Sequence, residues 1–194
     1  MGELKEDKAN TEKIDLKRFY TDFDYSSKIN DERHRILTLQ LYMEHFINEL
    51  VKFKSGEFPE KVIQENLTIP VKCQILLDWG VITKEQRKII EILAKTRNDM
   101  IHNLIIDTGK LERRLKTTDF EFIKSDKGKK AKVFEYLAPY SQLISASAII
   151  ISILYAQLEK MRGNNVEQFI QLKIEKQGDK YRHIIGFFER NQPV

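Results

Sequence analysis

The stretch KTRNDMIHN, Lys95 to Asn103, sets Arg97, Asn98 and His102 close together in the chain. Histidine titrates near neutrality and can take or give a proton. Arginine can grip a phosphate through parallel N–H bonds and stabilise charge as it develops there. The Asn98 amide can orient the histidine or donate to the phosphate. With RNA as substrate, a base acting on the 2′-hydroxyl drives that oxygen onto the adjacent phosphorus, and no metal is needed. DNA lacks the hydroxyl and is spared. The competing reading is structural: Arg97 bonds the end of a neighbouring helix, and His102 closes its own helix against the dipole.

The element that must position these groups is a helix. Thr83 and Gln86 in TKEQ form a capping-box pattern just before a long apolar-periodic run, which predicts a helix from Lys84 through roughly Ile106. At 100° per residue, Ile89, Ile90, Leu93, Thr96, Met100, Ile101 and Leu104 gather on one side. Arg97 falls inside that stripe, so its charge needs an acceptor, since an unpaired buried charge is costly. Arg97 and His102 are about 140° apart. One helix cannot aim both at a single point, and a shared cleft between two copies is the easier construction. That geometry suggests a homodimer.

Other elements follow from periodicity. Asn30 or Asp31 caps a helix in which Leu39, Tyr42, Met43, Phe46, Ile47, Leu50 and Val51 recur at three- and four-residue steps. PVKCQILLDWG reads as a short helix with Pro70 in its first turn and Gly80 as the left-handed residue after its end. GKLERRLK offers a helical turn or two. FEFIKSDKGKKAKVFEY alternates around a Lys-Gly turn, as an inserted hairpin would. Ser141 to Met161 is apolar almost all round, which predicts a helix central to the fold or covered by a second subunit. VEQFIQLKIEKQGDKYRHIIGFF fits either a hairpin turning at Gly178-Asp179 or a helix face of Val166, Phe169, Ile170 and Ile174, with the hairpin preferred. In the polar start of the chain, a helical turn is expected around Leu16–Tyr20.

Composition bounds the classes. The 194 residues are 41% hydrophobic, with only 4 Pro and 8 Gly, which favours one compact, mainly α domain. The lone Cys73 cannot form an intrachain disulfide and fits a reducing compartment, and Cys73 and Trp79 are most simply core. The first thirty residues hold no apolar leader, and the greasiest run, Leu143 to Ala156, is too short to span a bilayer. The expectation is a cytoplasmic protein without membrane contact. No metal or cofactor is expected, because no HxxxH, CxxC, P-loop or dinucleotide pattern is present. His34, His45 and His183 read as surface or core-edge residues. Tyr20, Phe23 and Tyr25 could stack on bases, but docking onto the domain is the simpler reading. Asp99 and Glu91 are expected to pair with Lys95. Net charge is +4, and it is concentrated. From Thr108 to Lys132 nine Lys/Arg face four acids, a net +5, which leaves the rest of the chain at −1. Lys110, Arg113, Arg114, Lys127, Lys129 and Lys130 are the residues there best placed to meet an RNA backbone, or else they form a solvated face.

The sequence RNDMIH, Arg97 to His102, resembles the R-x4-6-H signature of HEPN domains in its form with Asn after the Arg. Its surroundings are similar too. A long first helix is followed by a short helix that carries a lysine and ends in DWGVI, and then by a charged capping stretch. Over Asp31 to Leu104 the chain looks most like the mannitol-operon-repressor branch. The resemblance implies an up-and-down helical bundle, with the β alternation as an insertion or C-terminal hairpin. It divides the chain into a polar arm (1–29), a HEPN-like helical domain (30–163) and a C-terminal extension packing on it (164–194). It further implies a metal-independent endoribonuclease of toxin or defence type, working as a dimer, with Arg97 and His102 catalytic, Asn98 supporting and an antitoxin or regulatory protein as a further partner. Inactive HEPN members act as RNA- or protein-binding regulators, the alternative that the resemblance leaves open. Some HEPN toxins carry a tyrosine two positions after the His, which a partner enzyme modifies. Leu104 stands there instead.

Overall fold

The computed structural model describes residues 14–28, 32–56, 67–103, 107–120, 123, 137–164, 168–177 and 180–189. It is mainly helical. In chain order the elements are α1 (Leu16–Lys28), α2 (Glu32–Ser55), α3 (Ile69–Asp78), α4 (Lys84–His102), α5 (Thr108–Lys116), α6 (Pro139–Met161), β1 (Gln168–Gln177) and β2 (Lys180–Glu189).

Two helices form the centre. From α2, Ile36, Leu39, Met43, Phe46, Ile47 and Leu50 are fully buried, the three- and four-residue stripe expected of it. They pack against α6, whose buried residues run around the helix from Tyr140 to Glu159. The Phe46 and Tyr155 rings meet edge to face at 5.6 Å, a favoured arrangement, and join the two helices. Among the described helices, α6 is the one long and apolar enough to cross a membrane, and 67% of its most apolar window is buried inside the bundle. Its end is fastened by charge. Glu159, buried, accepts from Arg162 Nη1 at 2.9 Å and Asn164 Nδ2 at 2.7 Å, while Arg162 Nη2 donates to Glu49 Oε2 of α2 at 2.9 Å. A buried carboxylate is tolerated when its oxygens are bonded in this way.

Around this pair sit the shorter elements. The turn expected at Leu16–Tyr20 is a helix of 13 residues, started by Asp15 Oδ1 accepting from the Arg18 N–H at 2.8 Å. Leu16, Phe19 and Phe23 bury one face of α1 against α2, and Tyr42 OH donates to Asp22 Oδ2 at 2.5 Å. The docked reading therefore holds for Phe23, whereas Tyr25 is exposed. In α3, buried Lys72 donates to Asn48 Oδ1 of α2 at 2.8 Å. Gly80 takes φ +68, as its place after the helix requires, and the Gly80 and Val81 N–H groups donate back to Leu77 O and Leu76 O. Trp79, expected in the core, is instead 39% exposed, because it sits at the helix end, where only part of its ring meets the domain.

The C-terminal segment is the hairpin. β1 and β2 pair antiparallel from Gln168↔Glu189 to Gln177↔Lys180, a register that leaves residues 178 and 179 between the strands. The hairpin packs on α6, and Phe187 stacks on Tyr20 of α1 at 5.9 Å. The other hairpin candidate, around 120–136, lies almost wholly outside the described residues, as do Lys127, Lys129 and Lys130.

Candidate functional site

Helix α4 carries the motif and is built as the sequence requires. Thr83 Oγ1 accepts from the Gln86 N–H at 3.3 Å, and Gln86 Oε1 accepts from the Thr83 N–H at 2.9 Å, closing a reciprocal capping box. Ile89, Ile90, Ile92, Leu93, Thr96 and Met100 form the buried face. The helix stops earlier than the periodicity implied. It ends at His102, and Asn103 turns extended at φ −126, ψ 130. Asn103 closes the end twice, with its backbone N–H and its side-chain Nδ2 both donating to Asp99 O, at 3.0 and 2.9 Å. Arg33 of α2 reaches across to Asn103 O at 3.4 Å. His102 lies in the last turn of α4 and is exposed.

Arg97 is half-buried on the flank of the apolar stripe. With Asn98 it lines a cleft of about 450 Å³ between α2, α3 and α4, whose other walls include Gln40, Glu44 and Pro70. Its Nη1 donates to Asn98 Oδ1 at 3.0 Å, a contact between neighbours on the same helix. Its Nε atom is buried, and no described residue accepts from it. Leaving such a donor unbonded costs about 1–3 kcal/mol. Arg97 therefore lines the cleft, and among the described residues it makes no bond to the end of a neighbouring helix. Ile101, one turn beyond Arg97, is 52% exposed although the wheel put it in the stripe. It sits about 100° from Met100, at the stripe's margin, and α4 ends one residue later.

Within one chain Arg97 and Asn98 share a cleft, while His102 stands outside that cleft's described lining.

The basic residues behave differently from a free grip. Asp99 accepts from Lys110 Nζ at 3.0 Å and from Arg114 Nη1 at 2.8 Å, tying α4 to α5. Partial burial pushes the Asp99 carboxyl up, but the bonds from Lys110 and Arg114 outweigh it and hold the group below its ordinary range. The expected pairing of Asp99 with Lys95 is not made, and Glu91 instead binds Arg87 at 2.8 Å. Arg113 lies 3.9 Å from Asp107 and is exposed. The local four-residue rule found neither Asp99 partner, because both come from the next helix. The one signal in the sequence was a run of polar residues, Thr96, Asp99 and Asn103, at helical spacing beside an apolar face. Elsewhere, His34 is exposed and His45 half-buried, with burial, set against Glu49, lowering its pKa. No group of three or more potential metal ligands occurs among the described residues. Comparison with family models, curated proteins and solved structures finds no match to this chain.

Proposed function

We propose that the chain is a metal-independent endoribonuclease of HEPN type, acting as a homodimer in a cytoplasmic toxin or defence role with an antitoxin or regulatory protein as partner. The observation that carries this reading is the state of Arg97. Arg97 lines an open cleft, and among the described residues its one bond is to Asn98 beside it. A structural arginine would be saturated by the element it holds. His102 is exposed in the last turn of the same helix, and the two bonds that close that end come from Asn103.

In the reaction His102 takes the proton from a ribose 2′-hydroxyl. The 2′-oxygen bonds to phosphorus and the P–O5′ bond breaks, leaving a 2′,3′-cyclic phosphate and a 5′-hydroxyl after protonation of the leaving oxygen. Arg97 binds the phosphate oxygens as charge builds, and Asn98 holds Arg97 in place. Two copies meeting along the exposed edge of Asn98, Ile101 and His102 bring the groups of both chains into one cleft. Exposed Arg113, with Lys127, Lys129 and Lys130, contacts the RNA backbone, while Lys110 and Arg114 do so only by sharing themselves with Asp99.

One observation favours the alternative, a non-catalytic RNA- or protein-binding regulator of mannitol-repressor type: two of the basic residues already serve α4–α5 packing. The deciding experiment is RNA cleavage in EDTA by wild type and by His102→Ala purified identically. Cleavage with cyclic-phosphate ends, lost in the variant, supports the nuclease. Intact RNA, or equal cutting by the variant, rejects it in favour of the regulator.

A further inference from the structure

Helices α2 and α4 pack against each other, and the cleft of about 450 Å³ that they form with α3 has two unlike walls. Its volume falls in the roughly 300–1,000 Å³ range of sites that enclose a small organic ligand. The α4 wall carries two cations, Lys95 and Arg97. Lys95 is exposed, and the acids nearest it in sequence are bound elsewhere, Glu91 to Arg87 and Asp99 to Lys110 and Arg114.

The α2 wall holds a carboxylate. Glu44 is half-buried, and its Oε1 accepts from Gln40 Nε2 at 2.7 Å. No described residue bonds its Oε2, and that oxygen, unlike Oε1 of Gln40, is not a buried atom. Lys72 of α3, whose ammonium feels the Glu44 charge, donates instead to Asn48 Oδ1 at 2.8 Å. Glu44 is thus the acid in the lining whose acceptor oxygen is left for a ligand. Between the walls, Ile69, Pro70 and Ala94 supply apolar surface against which a flat ring can lie.

This arrangement suits a ligand with an anion at one end, hydrogen-bond donors at the other and a flat body between. Nucleotides have that form, and their bases differ in how they meet a carboxylate. Guanine presents N1–H and N2–H side by side, two donors for two carboxylate oxygens, and each oxygen has lone pairs for more than one bond. Adenine and cytosine set a ring-nitrogen acceptor beside the amino group. Uracil flanks its N3–H with two carbonyl oxygens. Each of these three brings a lone pair against the anion.

We propose that Glu44 reads guanine in the nucleotide whose 3′-phosphate Arg97 holds, so that the chain cuts RNA on the 3′ side of guanine. The inference rests on the RNA-directed reading of Arg97. Both residues line one cleft, and helices packed side by side lie about 8–10 Å apart axis to axis, which one nucleotide spans from base edge to phosphate. The nucleotide held in this way also carries the attacking 2′-hydroxyl, so fixing its base positions the nucleophile.

Glu44→Gln is the test variant. Its carbonyl oxygen keeps the bond from Gln40, while an NH2 group replaces Oε2 and meets guanine donor to donor. A thermal melt verifies that it folds. Where the melt falls, Glu44→Asp, which keeps the charge and shortens the reach, takes its place with the same expected loss. In the first arm, the four ribonucleoside 3′-monophosphates are titrated into the full chain by ligand-observed NMR. The guanosine nucleotide binds most tightly, and the variant weakens it about ten- to hundredfold while the other three change by less than about threefold. In the second arm, wild type and variant cut a randomised RNA. Guanine dominates on the 5′ side of the wild-type cuts, and the variant loses that preference. Equal binding of the four nucleotides, or a guanine preference that survives the substitution, overturns the proposal even where RNA is cut. Guanine binding that depends on Glu44, in a chain that cuts no RNA, upholds the base site and removes the nuclease.

Discussion

Replacing Asp99 by asparagine probes the junction between α4 and α5. The amide keeps one acceptor but loses the charge and turns an NH2 group toward a cation. The magnitude follows from the two bonds. Arg114 is 23% exposed and sits 2.8 Å from Asp99, so its charge-assisted bond lies at the top of the surface-pair range, about 1 kcal/mol. Lys110 is 47% exposed at 3.0 Å and, after screening, contributes roughly 0.5 kcal/mol. A loss of about 1.5 kcal/mol corresponds to a fall in Tm of roughly 3–6 °C for a chain of this size. The sign with pH is fixed by the direction of the shift. The folded carboxyl titrates below its ordinary value of 3.8, so its stabilisation is complete above that value and is lost as pH falls through the folded pKa. Calorimetric melts of wild type and Asp99→Asn at pH 7 and near pH 2.5 should therefore differ at the first pH and converge at the second. Added salt should narrow the gap at pH 7. Equal melting at pH 7 in low salt, or an undiminished gap in acid, would refute the account of this junction.

Other substitutions separate packing from chemistry. Arg97→Met keeps the apolar stem and removes a guanidinium that, among the described residues, bonds only Asn98, so Tm should move by no more than about 4 °C while RNA cleavage is lost; a larger fall would return Arg97 to a structural role. Phe46→Ala empties the junction of α2 and α6 and should cost about 3–5 kcal/mol, read as a lowered urea midpoint. Cys73 is fully buried and its thiol is pushed up to about 12, chiefly by burial, so iodoacetamide at pH 8 should label it only after unfolding, and labelling of the native protein would contradict its place in the core.

The sequence was most readable where local rules and tertiary packing agree. The capping box at Thr83, the left-handed Gly80 and the stripe of α2 each express a preference that the fold then uses. Reading failed at ends and across gaps. Trp79 and Ile101 are apolar and correctly spaced, but each lies within a residue of a helix terminus, where no further turn extends the covered face. Helix α1 looked like a polar arm because only Leu16, Phe19 and Phe23 of its residues contribute to the core. The motif itself was legible as three side chains. The binding of Asp99 by residues 11 and 15 positions later was not, since that pairing depends on how the chain returns after Asn103.

The bond between Glu49 and Arg162 joins residues 113 apart, and the packing of α2 on α6 has a similar reach. Chains emerge from a ribosome at roughly 5–20 residues per second, so α2 waits about 6–23 s for the helix that covers it. Throughout that interval Phe46, Met43 and Leu50 have no α6 to lie against. The motif at Arg97 is made well before the core can close, and its final setting arrives only when the last third of the protein is synthesised. A nascent or truncated chain therefore displays Arg97, Asn98 and His102 without the scaffold that holds them, and any activity that needs their final setting waits until synthesis is nearly complete.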